Sequence, residues 1–203
     1  MAGNDWLAAR RGEVAADRIL DAAEELFTRT DPSSVGMSEI ASAAGCSRAT
    51  LYRYFENRDA LRTAYVHREA RRLAETVQSR ITGVDNPGDR LVAGITTALR
   101  LVRENPPLAA WFTAAQPPIG AEMADKSEVI AALAAAFVTS LGAEDPAEVE
   151  RRARWLVRVI TSLLIFPGRD DADERAMVEE FVVPIAAPGA TPARQAQVSR
   201  APA

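Results

Sequence analysis

Apolar positions recur at helical spacing along nearly the whole chain, and no stretch of any length alternates as a strand would. From Glu13 to Thr30, the residues Ile19, Leu20, Ala23, Leu26 and Phe27 trace one helical face, which Asp31-Pro32-Ser33-Ser34 ends. Ile40, Ala41 and Ala44 follow on a short helix that Gly45 stops, and Ser47 can cap the next. On that next helix Leu51, Tyr54 and Phe55 fall on one side, and Ala49, Tyr52 and Arg53 on the other. Two short helices joined by a tight turn make a helix-turn-helix pattern, with one face to anchor and one free to read something.

Asn57 caps a longer helical pattern that runs to about Ile81, long enough to link two domains. Gly83 to Pro87 reads as a turn, and Leu91, Ile95, Leu99 and Val102 mark a helix closed by Asn105-Pro106-Pro107. A short helix from Leu108 carries Trp111 and Phe112, after which Gln116-Pro117-Pro118 to Gly120 breaks the chain. Val129, Leu133, Phe137 and Leu141 form another apolar face, and Asp145-Pro146 is a cap followed by proline at the first helical position. The expected fold is all-α: an N-terminal three-helix helix-turn-helix domain over 1–57 and a larger C-terminal helical domain over 58–186, about nine helices in total. Residues 1–12 read as a flexible arm, and 187–203, mostly Ala, Pro, Gln, Ser and Arg, as a disordered tail.

The helix from Pro146 to Phe166 carries two apolar stripes, Val149, Ala153, Leu156, Ile160 and Leu163 on one face and Trp155, Val159, Ser162 and Phe166 on its neighbour. A helix apolar on two faces is expected to be buried on both. The last helical segment adds Met177, Val178, Phe181 and Val182. From pattern alone these stripes serve either a dimer interface or an intramolecular core.

On the second helix of the helix-turn-helix, small and aromatic side chains flanked by arginines suit a DNA major groove, where Ala49 admits the backbone and Arg48 and Arg53 reach base edges or phosphates. Thr50 and Tyr52 can hydrogen-bond phosphate. Arg58 sits in the first turn after the Asn57 cap, where a cation opposes the helix dipole unless a phosphate is near. On charge pattern alone, Arg48, Arg53, Arg58 and Arg62 could equally be a solvated face ion-paired to Glu56 and Asp59.

The string Glu39-Ile40-Ala41, Ala44-Gly45, Ser47, Ala49-Thr50-Leu51-Tyr52, Tyr54-Phe55 and Ala60-Leu61 resembles the DNA-binding domain of the TetR family of bacterial transcriptional regulators. The resemblance covers roughly the first third of the chain; beyond it only length and helical pattern match. It implies a homodimer whose paired recognition helices bind a palindromic operator, released by a small-molecule effector held in the C-terminal domain. It places DNA contacts at Ser38, Arg48, Ala49, Thr50, Tyr52, Arg53, Tyr54 and Arg58, the last where the family has a phosphate-binding lysine. It assigns the last two helices to a four-helix bundle across the two-fold axis, so the implied interface is Val149, Ala153, Leu156, Ile160, Leu163, Val178, Phe181 and Val182. Gly36 departs from the pattern, since the family commonly caps with threonine there and glycine brings no hydroxyl to a phosphate.

A sensing pocket between helices of the second domain would draw on Trp111, Phe112, Gln116, Phe137, Trp155 and Ser162, and its few inner charges favour an apolar or amphiphilic effector. The same apolar residues would serve as well in a solid core. Composition changes this picture little. A 203-residue chain with 48% hydrophobic content can bury a substantial core. Its net charge of −4 argues mildly against nucleic acid, but phosphate contact depends on where cations stand.

One cysteine, Cys46, excludes an intrachain disulfide and fits a reducing cytoplasm, and no apolar run is long enough to span a membrane. A single histidine, His67, and the lack of HExxH, GxSxG or CxxC strings leave no expected catalytic residue, metal site or cofactor. The expected protein is a cytoplasmic, ligand-responsive repressor and not an enzyme. The alternative is a helical scaffold whose Arg48 to Arg62 face binds an acidic partner.

Overall fold

The computed structural model describes residues 5–113 and 119–187. Every regular element among them is helical: α1 (Asp5–Phe27), α2 (Met37–Ala43), α3 (Arg48–Tyr54), α4 (Arg58–Arg80), α5 (Pro87–Arg103), α6 (Pro106–Thr113), α7 (Ile119–Lys126), α8 (Glu128–Ser140) and α9 (Pro146–Ile165). A last run comprises α10 (Asp171–Met177), a π-helical stretch (Val178–Val182) and α11 (Val183–Ala186) without a break. Two expectations are corrected. The first helix begins at Asp5 rather than Glu13, through a Trp-Leu-Ala-Ala-Arg-Arg segment that favours helix. Of the break expected over Gln116-Pro117-Pro118 to Gly120, the first three residues lie outside the described residues, while Ile119 and Gly120 already belong to α7, which carries an Ile119/Met123 pair at i,i+4 that packs on the N-terminal core. The expected tail lies almost wholly in 188–203, outside the described residues.

The chain's own caps set the element ends. Asn57, Asn86, Ser127, Asp145 and Asp170 each accept backbone N–H bonds from the first turn of the helix that follows. Gly45 takes φ +65 between α2 and α3, a conformation that costs other residues a Cβ clash.

Two cores result. The first gathers Ile19, Leu20, Ala23 and Phe27 of α1 with Ile40, Ala41, Leu51 and Phe55. It continues past Asn57 into Leu61 and Tyr65 of α4 and Trp111 of α6. Phe27 meets both Tyr65 and Trp111 edge-on, at centroid distances of 5.1 and 5.3 Å, and these two stack at 5.8 Å. On the surface of that joint Arg68 of α4 binds Asp21 (2.7 Å) and Glu24 (2.8 Å) of α1 and Glu69 (2.9 Å) of its own helix. α4 is therefore fastened to the reader for its first three turns.

The second core packs α5, α8, α9 and the last run around Leu91, Ile95, Leu99, Val138, Leu156 and Val178. Gly94 lets the Phe137 ring settle on α5, since a Cβ there would stand 2.6 Å from Phe137 Cζ. Arg103 of α5 forks onto buried Glu174 of α10 through two bonds of 2.7 Å and also donates to the Leu163 carbonyl at 2.9 Å.

Candidate nucleic-acid interface and effector cavity

The α2–α3 unit is locked by its own polar groups. The Gly36 N–H donates to Glu39 Oε2 at 2.8 Å, so the carboxylate returns to the cap in the way a capping box does, although Gly36 brings no side chain. Ser47 Oγ accepts from the Thr50 N–H at 3.0 Å and lies 2.9 Å from the Thr50 hydroxyl. Leu51 and Phe55 are buried beneath α3. That burial fixes the rotation of α3 and turns Arg48, Ala49, Tyr52 and Arg53 to the outside.

Of the residues expected at DNA, Ser38, Arg48, Ala49, Tyr52, Arg53 and Arg58 are exposed, whereas Thr50 and Tyr54 are half-buried. Tyr54 packs against the first core, with the Arg53 guanidinium carbon 5.2 Å from its ring centre. Among the described residues neither Arg48 nor Arg53 is in an ion pair, so the surface does not neutralise them with Glu56 or Asp59.

The other two arginines behave differently. Arg58 Nη1 donates to the Ser33 carbonyl at 3.1 Å, and Arg62, only 7% exposed, donates to the Pro32 carbonyl. Arg62 is thus not part of an exposed cationic face. Its guanidinium pins the start of α4 to the α1–α2 turn, with Asp59 at 3.7 Å, and burial first, then the Arg58 charge, pull its pKa down. These two side chains were legible in the sequence only as charges, because nothing local marks a carbonyl some thirty positions away as their partner.

Further along, α4 lines an open cavity of about 560 Å³ between α4, α5, α8 and α9, to which Phe112 of α6 and Ala124 of α7 also contribute. That volume lies within the roughly 300–1,000 Å³ usual for small-molecule sites. Leu73, Ile95, Leu133, Phe137, Ile160 and Leu164 supply much of its wall. Phe112 and Phe137 of the expected pocket residues stand there. Trp111 does not: it is buried in the first core, with no partner for its indole N–H among the described residues. Trp155 packs half-buried against the second core and Ser162 is exposed on α9, while Gln116 lies outside the described residues. The α4 contribution was missed from sequence, since Ala70, Leu73, Ala74 and Val77 have the spacing of any core stripe.

The stripe residues expected at a dimer interface are divided. Val149, Ala153, Leu156, Leu163, Val178 and Val182 are buried within the single chain and Ile160 is half-buried, so that stripe packs intramolecularly. Phe181 is 59% exposed, and Met177 and Ile185, one turn to either side, are exposed with it; Phe166 at the end of α9 is 74% exposed. No group of three or more His, Cys, Asp or Glu among the described residues is placed to hold a metal ion, and no described helix is long and apolar enough to cross a membrane.

A rigid two-helix reader, built on a helix that continues into the wall of a separate apolar cavity, defines a helix-turn-helix transcriptional regulator. Residues 19–65 match the profile described as "Bacterial regulatory proteins, tetR family". The regulator Rv1255c of Mycobacterium tuberculosis strain H37Rv, an uncharacterised HTH-type transcriptional regulator, is 69% identical over 196 residues, 97% of each chain. AlkX of the same strain, also an HTH-type transcriptional regulator, is 28% identical over 177 residues, 84% of each chain. Among solved structures, the TetR family repressor AlkX from Dietzia sp. strain DQ12-45-1b superposes with a TM-score of 0.57 at 26% identity, covering 82% of this chain and 92% of that one. The chain belongs to the TetR family of bacterial regulatory proteins, and is a DNA-binding regulator rather than an enzyme.

Proposed function

We propose that this protein is a cytoplasmic repressor that binds a palindromic operator as a homodimer and is released by a small apolar or amphiphilic effector. The observation that carries the DNA reading is the outward face of α3, where Arg48 and Arg53 flank Ala49 and Tyr52 without any ion pair among the described residues. Such a face offers cations to phosphates and guanine edges without first breaking an ion pair. Two copies related by a two-fold axis would set their α3 helices about one DNA turn, roughly 34 Å, apart. We place the dimer contact on the exposed Phe166, Met177, Phe181 and Ile185.

The coupling runs through α4. Its 23 residues, about 34 Å at 1.5 Å per residue, are tied by Arg58 and Arg62 to the reader and by Ala70 to Gln78 to the cavity wall. A ligand that prefers a cavity with α4 displaced lowers operator affinity by that preference, and DNA lowers ligand affinity equally. The Dietzia relative is described as implicated in biodegradation of n-alkanes, which accords with an apolar effector here. Selection of bound sequences from random DNA tests the reading: a palindrome is expected, and salt-sensitive binding without sequence preference would overturn it. The division into a reader of residues 1–57 and a sensing and dimerising domain of 58–186 is proposed as functional, since side-chain packing crosses it at Leu61, Tyr65 and Trp111.

A further inference from the structure

The cavity wall is selective in charge as well as in polarity. Among its described residues Glu75 is the one ionisable side chain. Glu75 is exposed on α4, and its carboxylate makes no ion pair or hydrogen bond with a described residue. Arg71, one turn earlier, does not line the cavity.

Polar groups in the wall are few. The Ser140 hydroxyl is committed to the Phe137 carbonyl at 2.7 Å, which leaves the Gln78 amide and the Thr161 hydroxyl without a described side-chain partner. Along α4 from Ala70 to Gln78, and along α9 from Leu156 to Leu164, the wall extends about 12 Å at 1.5 Å per residue, enough for a medium-length alkyl chain.

A fatty carboxylate has two ways to use this space, and both are disfavoured. With its head inside, the charge leaves water and meets no cation, so it must take up a proton or stay out. With its head in water on the α4 side, where Glu75 is both exposed and part of the wall, it meets an unneutralised carboxylate. A neutral molecule meets neither obstacle, and an ester or alcohol oxygen can accept from Gln78 or Thr161.

We propose that the cavity selects an uncharged, mostly hydrocarbon effector, and that Glu75 is the residue that discriminates against fatty carboxylates. The proposal rests on the cavity being the effector site. Methyl dodecanoate and dodecanoate, which share a chain and differ in charge, are the probes, used below their aggregation concentrations at pH 8 with the full chain. Ligand binding is read by thermal shift and by release of the selected operator DNA.

The ester is expected to bind about tenfold more tightly than the carboxylate. Glu75→Lys, an exposed change that leaves the core intact, is expected to bring dodecanoate to within about twofold of the ester or better while leaving the ester within about threefold of its wild-type affinity. Ala134→Trp, which fills the cavity, is expected to weaken both ligands. Equal affinities in the wild type, or a difference that Glu75→Lys does not change, overturn the charge selection while leaving the cavity as the effector site. If neither probe binds, or Ala134→Trp leaves both affinities unchanged, the cavity reading falls and the selection with it.

Discussion

At the scale of single residues, the arginines near the reader do three different jobs. Arg48 is exposed and unpaired among the described residues, Arg58 is exposed but hydrogen-bonded to Ser33, and Arg62 is buried on Pro32. Arg48→Ala is expected to relax sequence preference at a cost of about 1 to 3 kcal/mol, measured by repeating the sequence selection with the variant. Arg58→Ala should weaken all sequences alike and lower the slope of log affinity against log salt by about one. Equal loss of preference in both variants would show that the α3 face does not discriminate bases.

Tyr65 gives a separate test. Its ring is fully buried between Phe27 and Trp111, while its hydroxyl has no described partner, and burial first, then the nearby Glu24 carboxylate, drive its pKa far up. Removing an unpaired buried hydroxyl relieves a desolvation cost of about 1–3 kcal/mol, so Tyr65→Phe is expected to raise the melting temperature. A fall of several degrees would reveal a water or other partner at that oxygen.

At the scale of elements, the joint between α5 and α10 depends on one charge pair. Glu174 is 3% exposed, and the fork from Arg103, aided by the Gly168 N–H against the opposing effect of burial, holds its carboxyl below the usual value of 4.5. A carboxyl depressed in the folded state stabilises above its unfolded pKa, and that contribution is lost as pH falls through the folded value. Thermal melts of the wild type should therefore show falling stability as pH drops below about 4.5, with a shallower slope for Glu174→Gln. At pH 7 the variant should be less stable by about 3 kcal/mol, at the low end for a buried pair because Arg103 is itself a third exposed. A variant with wild-type stability at pH 7 would remove the pair from any role in seating α10.

At the scale of the whole molecule, assembly and switching meet on the last helices. Phe181 lies outside the chain's own core and Leu156 inside it, so charges at the two positions have different expected consequences. Phe181→Glu should give folded monomers with weaker operator binding, because two half-sites are no longer joined. Leu156→Glu should unfold the chain. Sedimentation velocity and circular dichroism separate the two outcomes; a Phe181→Glu chain that remains dimeric would move the interface off this face.

By itself the sequence determined the helical class, the helix-turn-helix and its family, because turn chemistry at Gly45, capping at Ser47 and Asn57, and the Leu51/Phe55 anchor are local and repeat a specific string. It also separated the two sides of α3, since rotation of a short helix follows directly from which residues are apolar. Three matters were decided only by tertiary structure. The stripe of Val149, Ala153, Leu156 and Leu163 became internal core rather than an outer seam because α5 and α8 pack against α9, and periodicity cannot say which neighbour does the covering. Trp111 went to the reader and Phe137 to the cavity, although both read as apolar residues on short helices, because α6 lies against α1 and α5 presents Gly94 to the Phe137 ring. Arg62 became a buried strut because the Pro32 carbonyl, thirty residues away, arrives beside it only when the chain has folded. Spacing along the chain encodes the face of a helix; the identity of what meets that face depends on contacts between distant segments, which no local pattern contains.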